Sequence, residues 1–131
     1  MKKIAFIAFY SIMQSLLTAE LIHQWKFEET GEAGTILKDS VGNANATIVD
    51  AGGNNGVVGG GKVTLSGGEK NNSDYILLPE GILSSLIDAT IETWVIQESV
   101  NNRSPVFSVG VSTANVIQFY FTRGTTLAEN E

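Results

Sequence analysis

Short runs of alternating apolar and polar positions recur along most of this chain, separated by glycine, asparagine and aspartate. The most strongly apolar stretch beyond the N-terminus is residues 73–96, SDYILLPEGILSSLIDATIETWVI. It predicts a strand that ends at Leu78, a turn at residues 79–81 and a second strand over Ala89–Ile96. Both faces of the first strand are apolar, so we expect it to lie inside a sheet.

The same alternation predicts further short strands on both sides of this stretch. Residues 50–61, which hold six of the 14 glycines, predict a flexible surface connection, and residues 81–88 predict at most one helical turn. Residues 112–115 predict the connection of a hairpin. The remaining predicted strands cover residues 20–28, 35–39, 46–49, 62–66, 106–111 and 116–122.

Seven or eight short strands joined by turn residues, without a convincing amphipathic helix, are typical of an all-β sandwich. The pattern therefore predicts an antiparallel fold of two packed sheets.

The first 19 residues differ from the rest of the chain. Two lysines precede an apolar run that ends in Thr18-Ala19, which is the pattern of a cleaved export signal. An uncleaved membrane anchor is the alternative, but polar residues interrupt the apolar run and a spanning helix needs about 20 mostly apolar residues. We expect a leader over residues 1–19, one domain over residues 20–131 and a secreted, periplasmic or cell-surface location.

Charge and cysteine content narrow the classes of partner. Removing the leader takes Lys2 and Lys3 with it, so the net charge falls from −6 to −8. Nucleic acids and anionic membranes attract clustered basic residues, so neither is an expected partner. The chain has no cysteine, so its stability must come from burial of a core rather than from disulfides.

Six segments, taken in order, resemble the laminin G-like domains of bacterial exported proteins, within the concanavalin A-like lectin/glucanase superfamily. The resemblance covers about residues 22–124 and implies a two-sheet jelly roll. The sequence contains no counterpart of the final strands of that fold, so the domain is expected to be an incomplete sandwich. The matching segments are 23–28 (HQWKFE), 37–47 (LKDSVGNANAT), 61–68 (GKVTLSGG), 74–79 (DYILLP), 90–95 (TIETWV) and 105–110 (PVFSVG).

Asp39, Asn43 and Asn45 form a candidate metal site. Their oxygen atoms, brought together in a turn, are the ligands that Ca²⁺ takes. Laminin G-like domains often bind calcium, so the resemblance supports this hypothesis. The alternative is a plain turn in which these side chains bond their own backbone, and it explains the same residues without a metal.

Trp94, Glu92 and Tyr75 form a candidate ligand site. An aromatic ring against the apolar face of a sugar, with a nearby carboxylate for the hydroxyls, is typical of carbohydrate binding. The alternative places Trp94 in the core between the sheets.

Catalysis is not expected. Glucanases of this superfamily need paired carboxylates, and the strand with Glu92 lacks the partners. The first hypothesis is therefore a non-catalytic module that binds carbohydrate or glycoprotein, with Ca²⁺ as its candidate cofactor. The second is a structural or adhesion sandwich that contacts protein only, and the third is a fragment of a glycan hydrolase.

Overall fold

The computed structural model describes residues 19–53, 55–69, 71–98, 104–112 and 115–122. The chain forms two compact units, Met1–Leu86 and Ile87–Glu131. Over the described residues it is all-β, without a helix, and every strand pairing is antiparallel. None of these residues forms a helix long and apolar enough to cross a membrane. The predicted leader lies outside the described residues apart from Ala19.

The strands are short and form three separate sheets. In the first unit β1, β2 and β5 form one sheet in the order β1-β2-β5, and β3 pairs with β4. In the second unit β6 pairs with β7. The bounds are β1 (Ile36–Leu37), β2 (Ala46–Asp50), β3 (Val57–Gly59), β4 (Lys62–Thr64), β5 (Asp74–Leu77), β6 (Ser104–Ser112) and β7 (Asn115–Thr122).

The core of the first unit follows from the alternation along its strands. Ala46 and Ile48 project from one face of β2 and are fully buried, as is Leu37 on β1. Val58 on β3 joins the same cluster, so the two sheets of this unit share one core, which is consistent with a sandwich. The half-buried side chains that pack against the cluster are those of Trp25, Phe27, Val63, Ile76 and Leu78.

The glycine-rich run is more ordered than its composition predicts. Residues 50–61 are not only a flexible connection, because they contain β3 and the buried Val58. Gly60 and Gly61 join β3 to β4 with φ angles of 62° and 77°. A two-residue hairpin turn with both φ angles positive matches the twist of the strands, and glycine takes those angles without steric cost.

The second unit contains one long hairpin. Phe107 pairs with Phe119, Ser108 with Gln118 and Val109 with Ile117. The rings of Phe107 and Phe119 lie 6.3 Å apart on one face of the hairpin. The predicted strands over 106–111 and 116–122 are thus confirmed, with slightly different bounds.

Three other predictions are wrong. Residues 89–96 form no strand, and residues 20–28 contribute only an isolated bridge from Trp25 to Asp39. Among the described strands, β5 lies at the edge of its sheet rather than inside it, and its outward side chains, Tyr75 and Leu77, are 44% and 51% exposed. In these three cases the alternation identifies which side chains share a face but not which strands are neighbours. Residues 81–85 form a turn, which agrees with the prediction of at most one helical turn.

Candidate functional site

The carboxylate of Asp39 accepts hydrogen bonds from five protein groups. Its Oδ1 accepts the backbone N–H groups of Gln24 at 3.0 Å, Val41 at 3.1 Å and Gly42 at 2.9 Å. Its Oδ2 accepts the N–H of Ala44 at 3.0 Å. The side chain is completely buried, so these bonds replace water that the carboxylate has lost.

His23 completes this cluster. Its Nδ1 lies 2.6 Å from Asp39 Oδ2, and its ring stacks on Trp25 with centroids 5.8 Å apart. Trp25 in turn donates its indole N–H to the carbonyl of Ala44 at 2.9 Å. The alternation of residues 23–27 brings His23 and Trp25 to the same inner side, as the sequence predicts. Together they tie the segment before the first strand to the turn after it.

The turn leaves no room for a side chain at residue 42. A Cβ added to Gly42 would lie 2.7 Å from each of three atoms: Asp39 Oδ2, His23 Nδ1 and the carbonyl oxygen of Ile22. Such distances are not tolerated, so the close approach of the chain to the carboxylate requires glycine here.

Hydrogen bonding lowers the pKa of Asp39 well below the ordinary aspartate value. Burial alone would raise it, but the N–H groups of Gln24 and Gly42, the His23 ring and the N–H of Ala44 together outweigh burial. The pKa of Glu29 is also lowered, because its Oε1 accepts the N–H of Lys38 at 3.0 Å.

These shifts predict acid sensitivity of the first unit. Because the folded-state pKa of Asp39 lies below its unfolded value, the stabilisation is complete above about pH 4 and is lost as the pH falls from there towards the folded pKa. Urea midpoints measured at pH 6, 4 and 3 should fall towards acid. Most of the fall should remain in Glu29→Gln, because Asp39 carries the larger pKa shift, and a flat profile in that variant would contradict the assignment.

The three predicted calcium ligands do not present a set of unbonded oxygen atoms to a common point. Asp39 already accepts from five protein donors, and Asn45 Oδ1 accepts the backbone N–H of Asp39 at 3.0 Å. Asn43 is exposed. A calcium ion would need these same oxygens, so the group does not fit the ion while the turn is intact. The geometry favours the plain-turn alternative.

A pair of aspartates lies at the end of the β2–β5 ladder. Asp50 and Asp74 are directly opposite and therefore on one face. Asp74 is only 5% exposed; its Oδ2 accepts the N–H of Ser66 at 2.8 Å and its Oδ1 has no hydrogen-bond partner. Asp50 Oδ2 accepts the N–H of Asn55 at 2.8 Å. No three His, Asp or Glu residues in the described ranges come close enough to hold a metal.

The predicted ligand residues are divided between the two units. Tyr75 lies on β5 of the first unit, whereas Glu92 and Trp94 belong to the second. Trp94 is 91% exposed and Glu92 is exposed too. The alternative that places Trp94 in the core is therefore wrong. The structure brings Glu92 and Trp94 into one exposed segment, 89–98, that has no regular secondary structure.

A shallow groove lies beside the Asp39 cluster, between residues 26–29 and 38–40. Its volume is about 200 Å³. Pockets for small molecules usually measure about 300–1,000 Å³, so this groove is too small to be the main ligand site.

The fold and these residues define an all-β protein with a buried aspartate–histidine cluster in one unit and an exposed aromatic segment in the other. No family model, no curated protein and no solved structure matches the chain.

Sequence reasoning missed the pairing of His23 with Asp39. The two signals were present: His23 shares the inward side with Trp25, and Asp39 begins a turn-forming run, DSVGN. They are 16 residues apart, however, and the bridge between Trp25 and Asp39 and the bonds of Gln24 to Asp39 and Ser40 bring them together.

Proposed function

We propose that the chain is a non-catalytic binding module that acts outside the cytoplasm and recognises carbohydrate or glycoprotein through Trp94. We further propose that its sheets belong to a laminin G-like jelly roll. The observation that carries the functional proposal is the 91% exposure of the Trp94 side chain. An indole left in water is costly, and it offers a flat apolar surface on which a sugar ring can stack.

Glu92 supplies the polar part of the proposed site. It is exposed, lies two residues from Trp94, and its carboxylate can accept hydrogen bonds from sugar hydroxyls. Tyr75, the third residue of the predicted ligand site, lies in the other unit and is not needed for the proposal. Calcium is also not needed, because the Asp39 turn does not fit the ion.

A structural or adhesion module that contacts protein only is the second candidate. Its support is the apolar character of the same segment, in which Ile96 is 89% exposed, and of Ile87, which lies two residues before the segment and is 99% exposed. Exposed aliphatic side chains beside an aromatic residue are more typical of a protein interface than of a sugar site.

A glycan array with Trp94→Ala and Ile96→Ala separates the two candidates. If sugars bind, Trp94→Ala should abolish the signal while Ile96→Ala keeps it, because an aliphatic side chain provides no stacking surface. The unfolding free energy of Trp94→Ala should stay within about 0.5 kcal/mol of the wild-type value, as for other exposed residues.

Two other outcomes would reject the carbohydrate proposal. A folded wild-type protein that binds no glycan, with or without a chelator, would favour the protein-contact module. Release of reducing sugars from polysaccharides, abolished by Glu92→Gln, would instead favour the hydrolase fragment.

A further inference from the structure

Strand β7 is an uncharged and exposed strand in an acidic protein. Its sequence, NVIQFYFT, contains no ionisable side chain except that of Tyr120, and β6 contains none. Residues 116–121 are all exposed; Ile117 is 62% exposed and Phe119 is 60% exposed. Among the described strands, β7 has one neighbour, β6. A strand edge without charges is open to pairing with another strand.

The two strands of the hairpin differ in regularity. The β6–β7 ladder is regular from Phe107 to Gly110, opposite Phe119 to Val116. Outside that part, β6 has two bulges of one extra residue each, and its Pro105 has no backbone N–H to donate. Strand β7 has one extra residue, near its end. Prolines and bulges discourage a further strand from adding to an edge. The regular part of β7 is therefore the better docking edge.

The side chains of β7 are self-complementary about Gln118. If two copies of β7 pair antiparallel with Gln118 opposite Gln118, Ile117 of each copy faces Phe119 of the other. Aromatic and β-branched residues opposite each other stabilise a sheet. Each Gln118 amide already donates one N–H to Ser108 and accepts the hydroxyl of Tyr120. Its second N–H and its second lone pair can bond the other amide, so the central pair is neutral and matched.

The charge distribution also favours a second copy as the partner. The chain carries a net charge of −6, so two copies repel each other over most of their surfaces. The hairpin strands add nothing to this repulsion, because residues 104–112 and 115–122 carry no formal charge. A strongly charged partner would find no complementary charge on these strands.

We infer that two copies of this chain associate through β7, antiparallel about Gln118, and join their hairpins into a four-stranded sheet. The arrangement is isologous, since each copy uses the same edge. A single strand edge buries less than the roughly 1,200 Å² of a standard interface, so the association is weak.

Sedimentation velocity of the full chain over a wide concentration range tests the association. Wild type should shift from monomer to dimer, and Gln118→Lys should raise the dimer Kd at least tenfold, because two ammonium groups then face each other. Ser108→Lys is the control: Ser108 is opposite Gln118 on β6 and is bonded to it, so both variants lose that 3.1 Å hydrogen bond. Gln118→Lys also loses the bond from the Tyr120 hydroxyl, and Tyr120→Phe controls for that loss. A wild type that stays monomeric, or equal weakening by Gln118→Lys and Ser108→Lys, overturns the inference.

The absence of cysteine in the chain allows a direct test of register. Under mild oxidation Gln118→Cys should form a disulfide-linked dimer. Val116→Cys should not, because residue 116 faces residue 120 of the other copy, and the two introduced thiols would be about 13 Å apart at the strand rise of about 3.3 Å per residue. A mixture of Val116→Cys and Tyr120→Cys should cross-link. Equal cross-linking of the Val116→Cys and Gln118→Cys variants, each alone, would indicate non-specific aggregation and overturn the register.

Discussion

Replacing Asp39 with alanine is expected to destabilise the first unit by about 3–5 kcal/mol, because it leaves buried donors without their acceptor. Four backbone N–H groups and the His23 ring converge on this one carboxylate. Small domains have a total stability of only about 5–15 kcal/mol, so much of the unit should be unfolded. Urea denaturation followed by tryptophan fluorescence measures the loss.

Asn43→Ala is the control for this prediction. Asn43 lies in the same turn but is exposed, so its removal should change the free energy of unfolding by no more than about 0.5 kcal/mol. Asp39→Asn should be nearly as harmful as Asp39→Ala, because an amide nitrogen would then face N–H donors. A stability loss below about 1 kcal/mol in Asp39→Ala, on the order of one hydrogen bond, would show that water replaces the carboxylate easily.

Leu37→Ala is expected to cost about 2–5 kcal/mol, the usual range for a buried leucine. Leu37 is completely buried, and the described core of the first unit contains only three other buried hydrophobic residues. A core of this size has few contacts that can adjust around a cavity, which places the expected value in the upper part of the range.

Ile36→Ala is the matched control for the core prediction. Ile36 precedes Leu37 on the same two-residue strand, but its side chain is 51% exposed. The control should lose less than half as much stability as Leu37→Ala in the same thermal or urea melt. Equal losses in both variants would mean that strand propensity, and not burial, determines the contribution of β1.

Much of the fold could be predicted from alternation and turn residues. The strands around residues 36, 47, 63 and 75 and the hairpin over 104–122 lie close to their predicted positions. Alternation identifies which side chains share a face, but it does not identify the neighbouring strand. For this reason alternation predicts a strand over Ala89–Ile96 although that segment pairs with no described strand. It also places β5 inside a sheet, although β5 is an edge among the described strands.

Three features could not be predicted because they depend on distant residues. Val58 lies in a glycine-rich run, and it is buried because its backbone bonds to Gly31 and its side chain reaches the cluster around Ile48. The turn chemistry predicts that Asp39 bonds its own turn, and it does. Its bond to His23 requires residues 23–25 to lie against the turn that begins at Asp39. A contact between residues so far apart in the sequence leaves no local sequence pattern. The exposure of Trp94 likewise depends on what packs against it.

The bonds of Asp39 act over two different distances along the chain. Three reach residues two, three and five positions ahead, and two reach residues 15 and 16 positions back. The near bonds close short loops, which costs little entropy, and they orient both carboxylate oxygens. His23 and Gln24 thus bond to a carboxylate whose orientation the near bonds already fix. The longer loop therefore closes without the further cost of ordering the Asp39 side chain.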